Sequence, residues 1–299
     1  MWVILAVASS AFLGIYDVFK KLSLRDNAVL PVLFFASFTG ALIFAPFVAV
    51  SLAFPGFSSG YPWHIPSVGL EAHLFFLLKS VIVGSSWVFA YFAMKHLPIT
   101  VAAPVRASGP VFALIGAILY FGERLSVQQW IGLTVTFCCY YLFATAGKKE
   151  GIVFRNNKWM WFMVIATIIG AASSLYDKFL TARYDRLALQ AWFSLYLVPV
   201  LAVPLLSFWF PNRKKYTPFR WSWAIPMIGV ALIAADFLYF YALSLPGSLI
   251  GVISTVRRTS VLTSFTVGSL VFREEKNKKL KGLILIGIVA GIAVIMLGS

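Results

Sequence analysis

Long apolar runs alternate with short polar segments along the whole chain. Each run holds roughly 18 to 25 residues, the length a helix needs to cross the roughly 30 Å hydrocarbon core of a bilayer. The runs predict ten membrane-spanning helices, at residues 2–23, 30–52, 72–95, 99–120, 128–146, 159–182, 188–210, 222–245, 248–270 and 281–298. The polar segments between them are too short for a soluble domain. The pattern therefore predicts an all-α polytopic membrane protein with ten transmembrane helices.

Composition agrees with this prediction. Of the 299 residues, 61% are hydrophobic and 12% are charged, whereas a soluble domain carries about 25% charged residues. The net charge of +15 comes mostly from Lys and Arg in the short loops, where such residues direct membrane insertion. We expect the lipid bilayer, and no nucleic acid, as the partner of these charges.

The basic residues are distributed unevenly between the two sides of the predicted bundle. The loops after spans one, three, five, seven and nine share one side and hold 17 basic residues, with Lys20 among them, whereas the opposite side holds 5, with Lys79 among them. Positively charged loops stay in the cytoplasm during insertion. The sequence therefore predicts a multi-pass protein of the inner, cytoplasmic membrane with both termini outside.

Three pairs of similar segments recur in the same order in the two halves of the chain. They are Tyr16-Asp17-Val18-Phe19 with Tyr176-Asp177-Lys178-Phe179, Ala90-Tyr91-Phe92-Ala93 with Leu238-Tyr239-Phe240-Tyr241, and Val105-Arg106 with Val256-Arg257. This order predicts an ancestral duplication, with a five-helix repeat at 1–147, a connecting loop at 148–158 and a second repeat at 159–299. Because each repeat holds an odd number of spans, the two must cross the membrane in opposite senses, and inverted repeats place the solute site at their interface near mid-membrane.

The segments that follow spans four and nine carry a family resemblance. The first reads Phe121-Gly122-Glu123-Arg124-Leu125-Ser126 followed by Gln129-Trp130-Ile131-Gly132, and the second reads Phe272-Arg273-Glu274-Glu275 followed by Leu280-Lys281-Gly282. With these motifs the chain resembles the ten-span EamA-type members of the drug/metabolite transporter superfamily over nearly its whole length. The resemblance implies a membrane transporter. It also implies cytoplasmic termini, against the charge count.

Ionisable residues within the spans are candidates for the solute site, because each costs roughly 2.5 to 3.5 kcal/mol to insert. Arg106 in span four and Arg257 with Arg258 in span nine predict an anion-binding cluster, since guanidinium groups suit carboxylate and phosphate. Basic residues at these places are also similar to those of triose-phosphate translocators. The alternative is that the arginines only pair with aspartates of neighbouring spans and hold helices together.

Hydroxyl groups near the arginines extend this candidate site. The further residues expected to bind the substrate are Tyr91, Tyr239, Tyr241 and Thr259. Aromatic core packing is the alternative role of each tyrosine.

The aspartates within the spans are candidates for coupling or gating. Asp236 is interpreted as a proton site or as the counter-charge of the arginines. Asp17 and Asp177 are equivalent in the two repeats and are expected to line opposite gates, with Lys20 or Lys21 as a local partner of Asp17. Glutamates at the span ends, Glu123 and Glu274, are expected to cap helices or to pair with loops.

The sequence contains no nucleotide-binding loop, no metal-ligand spacing and no recognisable catalytic arrangement, so we expect neither an enzyme nor a cofactor. The predicted function is secondary transport of a small organic anion by alternating access, with phosphorylated metabolites among the candidates and exchange, or antiport, as the expected mode. Two alternatives stay open: an exporter of amino acids or other metabolites, and a protein that handles lipid phosphates. A second copy of the chain is a candidate partner.

Overall fold

The structure is a computed structural model that describes residues 1–97, 105–106, 108–145, 157–215, 217–260, 262–263 and 278–298. Within these ranges, ten helices have eight or more residues: α1 (Trp2–Leu24), α2 (Val29–Ala53), α3 (Leu70–His96), α4 (Gly109–Phe121), α5 (Val127–Thr145), α6 (Lys158–Thr181), α7 (Arg186–Pro204, continued by the π-helical turn Leu205–Trp209), α8 (Ala224–Ser244), α9 (Ile250–Arg257) and α10 (Lys278–Leu297). A short helical turn, Pro55–Ser58, follows α2. The predicted all-α class is confirmed.

Six described helices are long and apolar enough to cross a bilayer: α1, α2, α3, α6, α8, and α7 with its extension to Trp209. The shorter helix α4 and residues Leu283–Leu297 of α10 are also apolar. Because several such helices follow one another along a single chain, the protein is a multi-pass membrane protein.

Two predicted spans differ from the structure at the positions of their arginines. The predicted helix 99–120 is interrupted at the turn residue Ser108, and α4 begins only at Gly109. The predicted helix 248–270 is interrupted after Arg257, where short i to i+3 bonds close a turn around Arg258 and Thr259. Proline near the start of α4 favours a helix beginning there, and tight i to i+3 bonding ends α9. Residues 98–104 and 264–277 lie outside the described part of the chain.

The helix contacts of the first half recur in the second half when each helix is replaced by the one five places away in chain order. The contact of α1 with α8 corresponds to that of α6 with α3, and the contact of α2 with α8 to that of α7 with α3. The contact of α1 with α9 corresponds in the same way to that of α6 with α4. The pairs α2 with α7, α4 with α9, and α5 with α10 each map onto themselves. At the α5–α10 contact a Cβ on Gly132 would lie 2.5 Å from the carbonyl oxygen of Gly291, so only glycine permits this close approach.

The segment after α4 fixes the start of α9. Gly122 adopts a left-handed conformation with φ of 62°, and the N–H groups of Gly122 and Glu123 bond back to the last turn of α4, as in a Schellman motif. The carboxylate of Glu123 accepts hydrogen bonds from the N–H groups of Ile250 (2.7 Å) and Gly251 (3.2 Å). Burial raises the pKa of this carboxyl, while the two N–H groups oppose that shift. Glu123 therefore caps α9 across the two halves of the chain, and Glu274 lies outside the described residues.

The two ends of the bundle differ in their packing. At the Trp2 end, the membrane face where α1 begins, one large hydrophobic cluster around Trp2, Phe76 and Phe240 joins α1, α3, α4, α6, α7, α8 and α9. At the opposite Met160 end, the described core residues form separate clusters. One cluster, around Ile225, joins α1, α2 and α8. A second, around Tyr91 and Leu201, joins α2, α3 and α7, and a third, around Met160, joins α3 and α6. Among the described residues, the central helices are thus packed together most extensively at the Trp2 end.

Candidate functional site

A cavity of about 230 Å³ lies between the central helices. Residues of α1, α3, α6, α8 and α9 form most of its wall, together with Arg106 and Phe193. Its charged lining residues are Asp17, Lys20, Lys79, Arg106, Asp177, Asp236, Arg257 and Arg258. These eight residues fall into two groups that differ in net charge.

The first group is the α1 cluster, defined as Asp17, Lys20, Arg106 and Arg258. The ammonium of Lys20 lies 2.7 Å from the Asp17 carboxylate, one turn away on the same helix. The same ammonium lies over the rings of Tyr16 and Tyr91, at 4.4 and 5.4 Å from their centroids, a favourable position for a cation. The local partner predicted for Asp17 is thus Lys20.

The tyrosines beside this cluster join two helices. The hydroxyl oxygens of Tyr16 on α1 and Tyr91 on α3 lie 3.0 Å apart in a hydrogen bond. Both rings are largely buried. The neutral tyrosine bond therefore links α1 and α3, whereas the Asp17–Lys20 pair lies within α1.

The two arginines of the α1 cluster form no ion pair with any residue that the structure describes. Arg106 donates a weak hydrogen bond to the sulfur of Met94 at 3.7 Å. The guanidinium of Arg258 lies against Gly109, with Nη2 3.1 Å from the position a Cβ would take, and within electrostatic range of Arg106 and Asp17. With one carboxylate and three cations, the α1 cluster carries a net charge of +2.

The second group is the α8 cluster, defined as Lys79, Asp177, Tyr239, Arg257 and Asp236. The buried Lys79 of α3 forms an ion pair with Asp177 of α6, and the hydroxyl of Tyr239 donates to the same carboxylate at 3.1 Å. Arg257 lies over the Tyr239 ring at 3.9 Å and donates to Asp236 at 2.7 Å. Two cations and two carboxylates make this cluster neutral, and it connects α3, α6, α8 and α9.

Two residues predicted to bind substrate do not line the cavity. Tyr241 lies under the guanidinium of Arg186, 3.8 Å from its ring centroid. The buried Thr259 donates from its hydroxyl to Ser10 at 2.9 Å, and the same hydroxyl lies 2.7 Å from the backbone carbonyl of Val256. Both side chains therefore stabilise helix contacts instead of facing the cavity.

Two lysines that the sequence reasoning assigned to loops belong to the cavity. Lys20 and Lys79 are 3% and 2% exposed and face Asp17 and Asp177. The signal for Lys79 was its position inside predicted span 72–95, where a charge needs a partner or a polar cavity. Without these two lysines, the numbers of basic residues on the two predicted sides of the membrane are 16 and 4 instead of 17 and 5.

Several apolar membrane helices around a buried, charged cavity define a polytopic α-helical membrane protein with an internal polar site. Residues 1–145 match the model of the EamA-like transporter family. The first half of the chain is thus similar to EamA-like transporters, and the family resemblance predicted from the sequence is confirmed.

Individual relatives agree with this assignment. An "Uncharacterized transporter in cobO 3'region" of Sinorhizobium sp is 26% identical over 134 residues, which cover 44% of this chain and 88% of that protein. The "Probable 4-amino-4-deoxy-L-arabinose-phosphoundecaprenol flippase subunit ArnE" of Aeromonas salmonicida is 31% identical over 71 residues, 24% of this chain and 52% of that protein. A crystal structure superimposes over 98% of this chain and 99% of its own with a TM-score of 0.70 and 18% identity, a likeness of fold alone.

Proposed function

We propose that this protein is a secondary active transporter of a small organic anion, and that the α1 cluster binds the anion. The observation that carries the proposal is the net charge of +2 on that cluster, with two arginines that lack a carboxylate partner among the described residues. Uncompensated charge is costly within a membrane. A bound anion removes this cost, and arginine offers planar donor groups that suit carboxylate and phosphate.

The transport mechanism follows from the two ends of the bundle. The described central helices are packed together at the Trp2 end and belong to separate clusters at the Met160 end. We infer that the cavity opens toward the Met160 end in this conformation. Exchange of equivalent helix contacts between two inverted repeats, 1–147 and 159–299, then opens the Trp2 end and closes the other, as in other inverted-repeat carriers.

Exchange is the transport mode that the charges favour. When the cavity is empty, closing it at both ends leaves two uncompensated guanidinium groups away from water. When an anion is bound, that charge is neutralised and closure costs less. Return of the empty carrier is therefore slow, and a second anion speeds it. We assign Asp236 the role of counter-charge to Arg257, since the two side chains already form an ion pair.

Ligand-induced stabilisation tests the proposed function. A ligand that binds only the folded state raises its stability in proportion to RT ln(1 + [L]/Kd). We expect organic phosphates or carboxylates to raise the melting temperature of the purified, detergent-solubilised protein, and amine cations to leave it unchanged. Counterflow of the stabilising anion in proteoliposomes then tests exchange. Stabilisation by cations or neutral amino acids, with no response to any anion, would contradict the proposal.

A second candidate function is the handling of a lipid phosphate. The observation in its favour is the similarity to a relative named as a flippase subunit for a phosphoundecaprenol. Inhibition of anion counterflow separates the two candidates, with a short water-soluble polyprenyl phosphate and an equally charged inositol phosphate as inhibitors. If lipid phosphate is the substrate, the polyprenyl phosphate inhibits at a lower concentration than the inositol phosphate. If a water-soluble organic anion is the substrate, the two inhibit at similar concentrations, because the polyprenyl chain adds no affinity.

The orientation that we propose places both termini outside the cell. With Lys20 and Lys79 removed from the loop count, the sides still carry 16 and 4 basic residues, and positively charged loops stay in the cytoplasm. The Met160 end is then cytoplasmic. Single cysteines in the 147–158 loop and at Ser299, in a background without Cys138 and Cys139, test this orientation with an impermeant maleimide on intact cells. We expect labelling at 299 only, and labelling of the loop alone would reverse the orientation.

A further inference from the structure

We propose that the transported solute carries two negative charges on its head group, and that Arg106 and Arg258 recognise these two charges. The inference rests on the anion-transport function proposed above and specifies its substrate class. A count of the charges that line the cavity supports it. Five cations and three carboxylates line the cavity, and each carboxylate already forms an ion pair with one cation.

The pairing identifies the two remaining cations. Lys20 pairs with Asp17, Lys79 with Asp177 and Arg257 with Asp236. Arg106 and Arg258 are the cavity cations that have no ion pair with the described residues. Arg257, which also stacks on Tyr239, is therefore excluded from the anion site and belongs to its neutral wall.

These two guanidinium groups, which have no ion pair among the described residues, lie on the same side of the cavity. Arg106 precedes the first residue of α4, and Arg258 follows the last residue of α9. Nη2 of Arg258 lies beside Gly109, the first residue of α4, so the positive end of that helix dipole adds to the same region. Each arginine contributes to the electrostatic environment of Asp17. Both arginines therefore surround a single cationic region.

A monoanion would neutralise only one of these guanidinium groups. The second would remain uncompensated in an interior where screening by water is weak, and it would still be repelled by its neighbour. A dianion neutralises both groups and can accept hydrogen bonds from both forks. The two chemical groups that fit are a phosphate monoester, with both charges on one phosphorus, and a dicarboxylate.

Probes of the same shape and different charge test the proposal. Phenyl phosphate is a dianion at pH 8 and a monoanion below its second pKa of roughly 6, whereas phenyl sulfate is a monoanion throughout. Titration calorimetry on the purified protein at pH 8 should give a Kd for phenyl phosphate that is about 10- to 100-fold lower than the Kd for phenyl sulfate. At pH 5 the two affinities should converge while that of phenyl sulfate stays constant. Succinate binding at least as tight as phenyl phosphate would assign the two charges to a dicarboxylate, within the proposal.

Variants locate the preference on the two arginines. Arg106→Gln and Arg258→Gln should each bring the affinity of phenyl phosphate close to that of phenyl sulfate, while Arg258→Lys, which keeps the charge, should retain a preference for the dianion. The neutral double variant Lys79→Met/Asp177→Asn should retain the wild-type ratio. A melting curve without ligand confirms that each variant is folded.

Three results would overturn the inference. Equal affinity of the wild-type protein for phenyl phosphate and phenyl sulfate at pH 8 would show a monoanion site, and the anion-transport function would still stand. A full dianion preference in both glutamine variants would place the two charges elsewhere. Failure of every anion to bind would remove the proposed function together with this inference.

Discussion

Asp17 and Asp177 occupy corresponding places on α1 and α6, yet their ion pairs with Lys20 and Lys79 differ. Asp17 and Lys20 lie on one helix, and the carboxylate is 22% exposed. Asp177 and Lys79 join α6 to α3, and their side chains are 8% and 2% exposed. The first pair therefore lies within one helix, whereas the second connects helices from both halves.

The two clusters around the cavity differ accordingly in net charge and in the helices that they connect. In the α8 cluster, Tyr239 adds a third helix to the Asp177–Lys79 pair, and no net charge is left to attract a ligand. In the α1 cluster, the neutral Tyr16–Tyr91 bond links two helices, and the excess of positive charge faces the cavity. Asp17 and Asp177 thus belong to one cluster with excess positive charge and to one neutral cluster that joins helices.

The largest expected effect comes from removing one partner of the interhelical pair. Asp177→Asn leaves the Lys79 ammonium buried without a counter-charge, so we expect a loss of about 3 to 5 kcal/mol in the free energy of unfolding. Asp17→Asn should cost less, because the Asp17 side chain is 22% exposed and its pair lies within one helix, although the Lys20 ammonium is as buried as that of Lys79. Denaturation in mixed detergent micelles measures both losses.

The matched control is the double variant Lys79→Met/Asp177→Asn, which removes both charges and should recover most of the lost stability. Equal losses for Asp17→Asn and Asp177→Asn would mean that the two pairs are equivalent. A double variant no more stable than Asp177→Asn would mean that side-chain volume, and not the buried charge, is responsible.

The tyrosines sharpen the same comparison with a smaller effect. Tyr239→Phe removes a hydrogen bond to the Asp177 carboxylate, and we expect a loss of about 1.5 to 3 kcal/mol. Tyr91→Phe removes a bond between two neutral hydroxyl groups, and we expect about 0.5 to 1.5 kcal/mol. The same denaturation assay compares the two variants. A larger loss for Tyr91→Phe would place the stronger helix connection beside the α1 cluster.

The smallest expected effect concerns the cap that joins α4 to α9. Glu123→Ala removes the acceptor for the N–H groups of Ile250 and Gly251 and should cost about 1 kcal/mol. Glu123→Gln should cost less, because burial already raises the pKa of the carboxyl and a neutral amide oxygen can still accept one bond. Hydrogen exchange of these two amides follows the cap. Unchanged exchange in Glu123→Ala would mean that the carboxylate does not hold the start of α9.

Sequence reasoning found the helices because their apolar runs are long enough to cross the membrane. It also found the ionisable residues of spans four, eight and nine, because a charge within an apolar run is conspicuous. The breaks at Ser108 and after Arg257 escaped it, since composition alone does not separate a continuous span from two shorter segments of the same total length.

The sequence could not predict in general which of these ionisable residues form ion pairs with one another. The Asp17–Lys20 pair was predictable from its spacing on one helix. The Asp177–Lys79 pair joins residues 98 positions apart, so it depends on how α3 packs on α6. Tyr241 illustrates the opposite case: it is close in sequence to Tyr239 but points toward Arg186, because residues two apart on a helix face different directions.

Anion binding by two variants, measured side by side, tests the division between the clusters most directly. Arg106→Gln removes one of the two guanidinium groups that have no ion pair among the described residues. Lys79→Met/Asp177→Asn removes both members of the interhelical pair of the neutral cluster. Calorimetry with phenyl phosphate at pH 8 should give a Kd at least about tenfold higher for Arg106→Gln and within about twofold of wild type for the double variant. Wild-type affinity in Arg106→Gln, with binding lost in the double variant, would show that the anion is held by the α8 cluster instead.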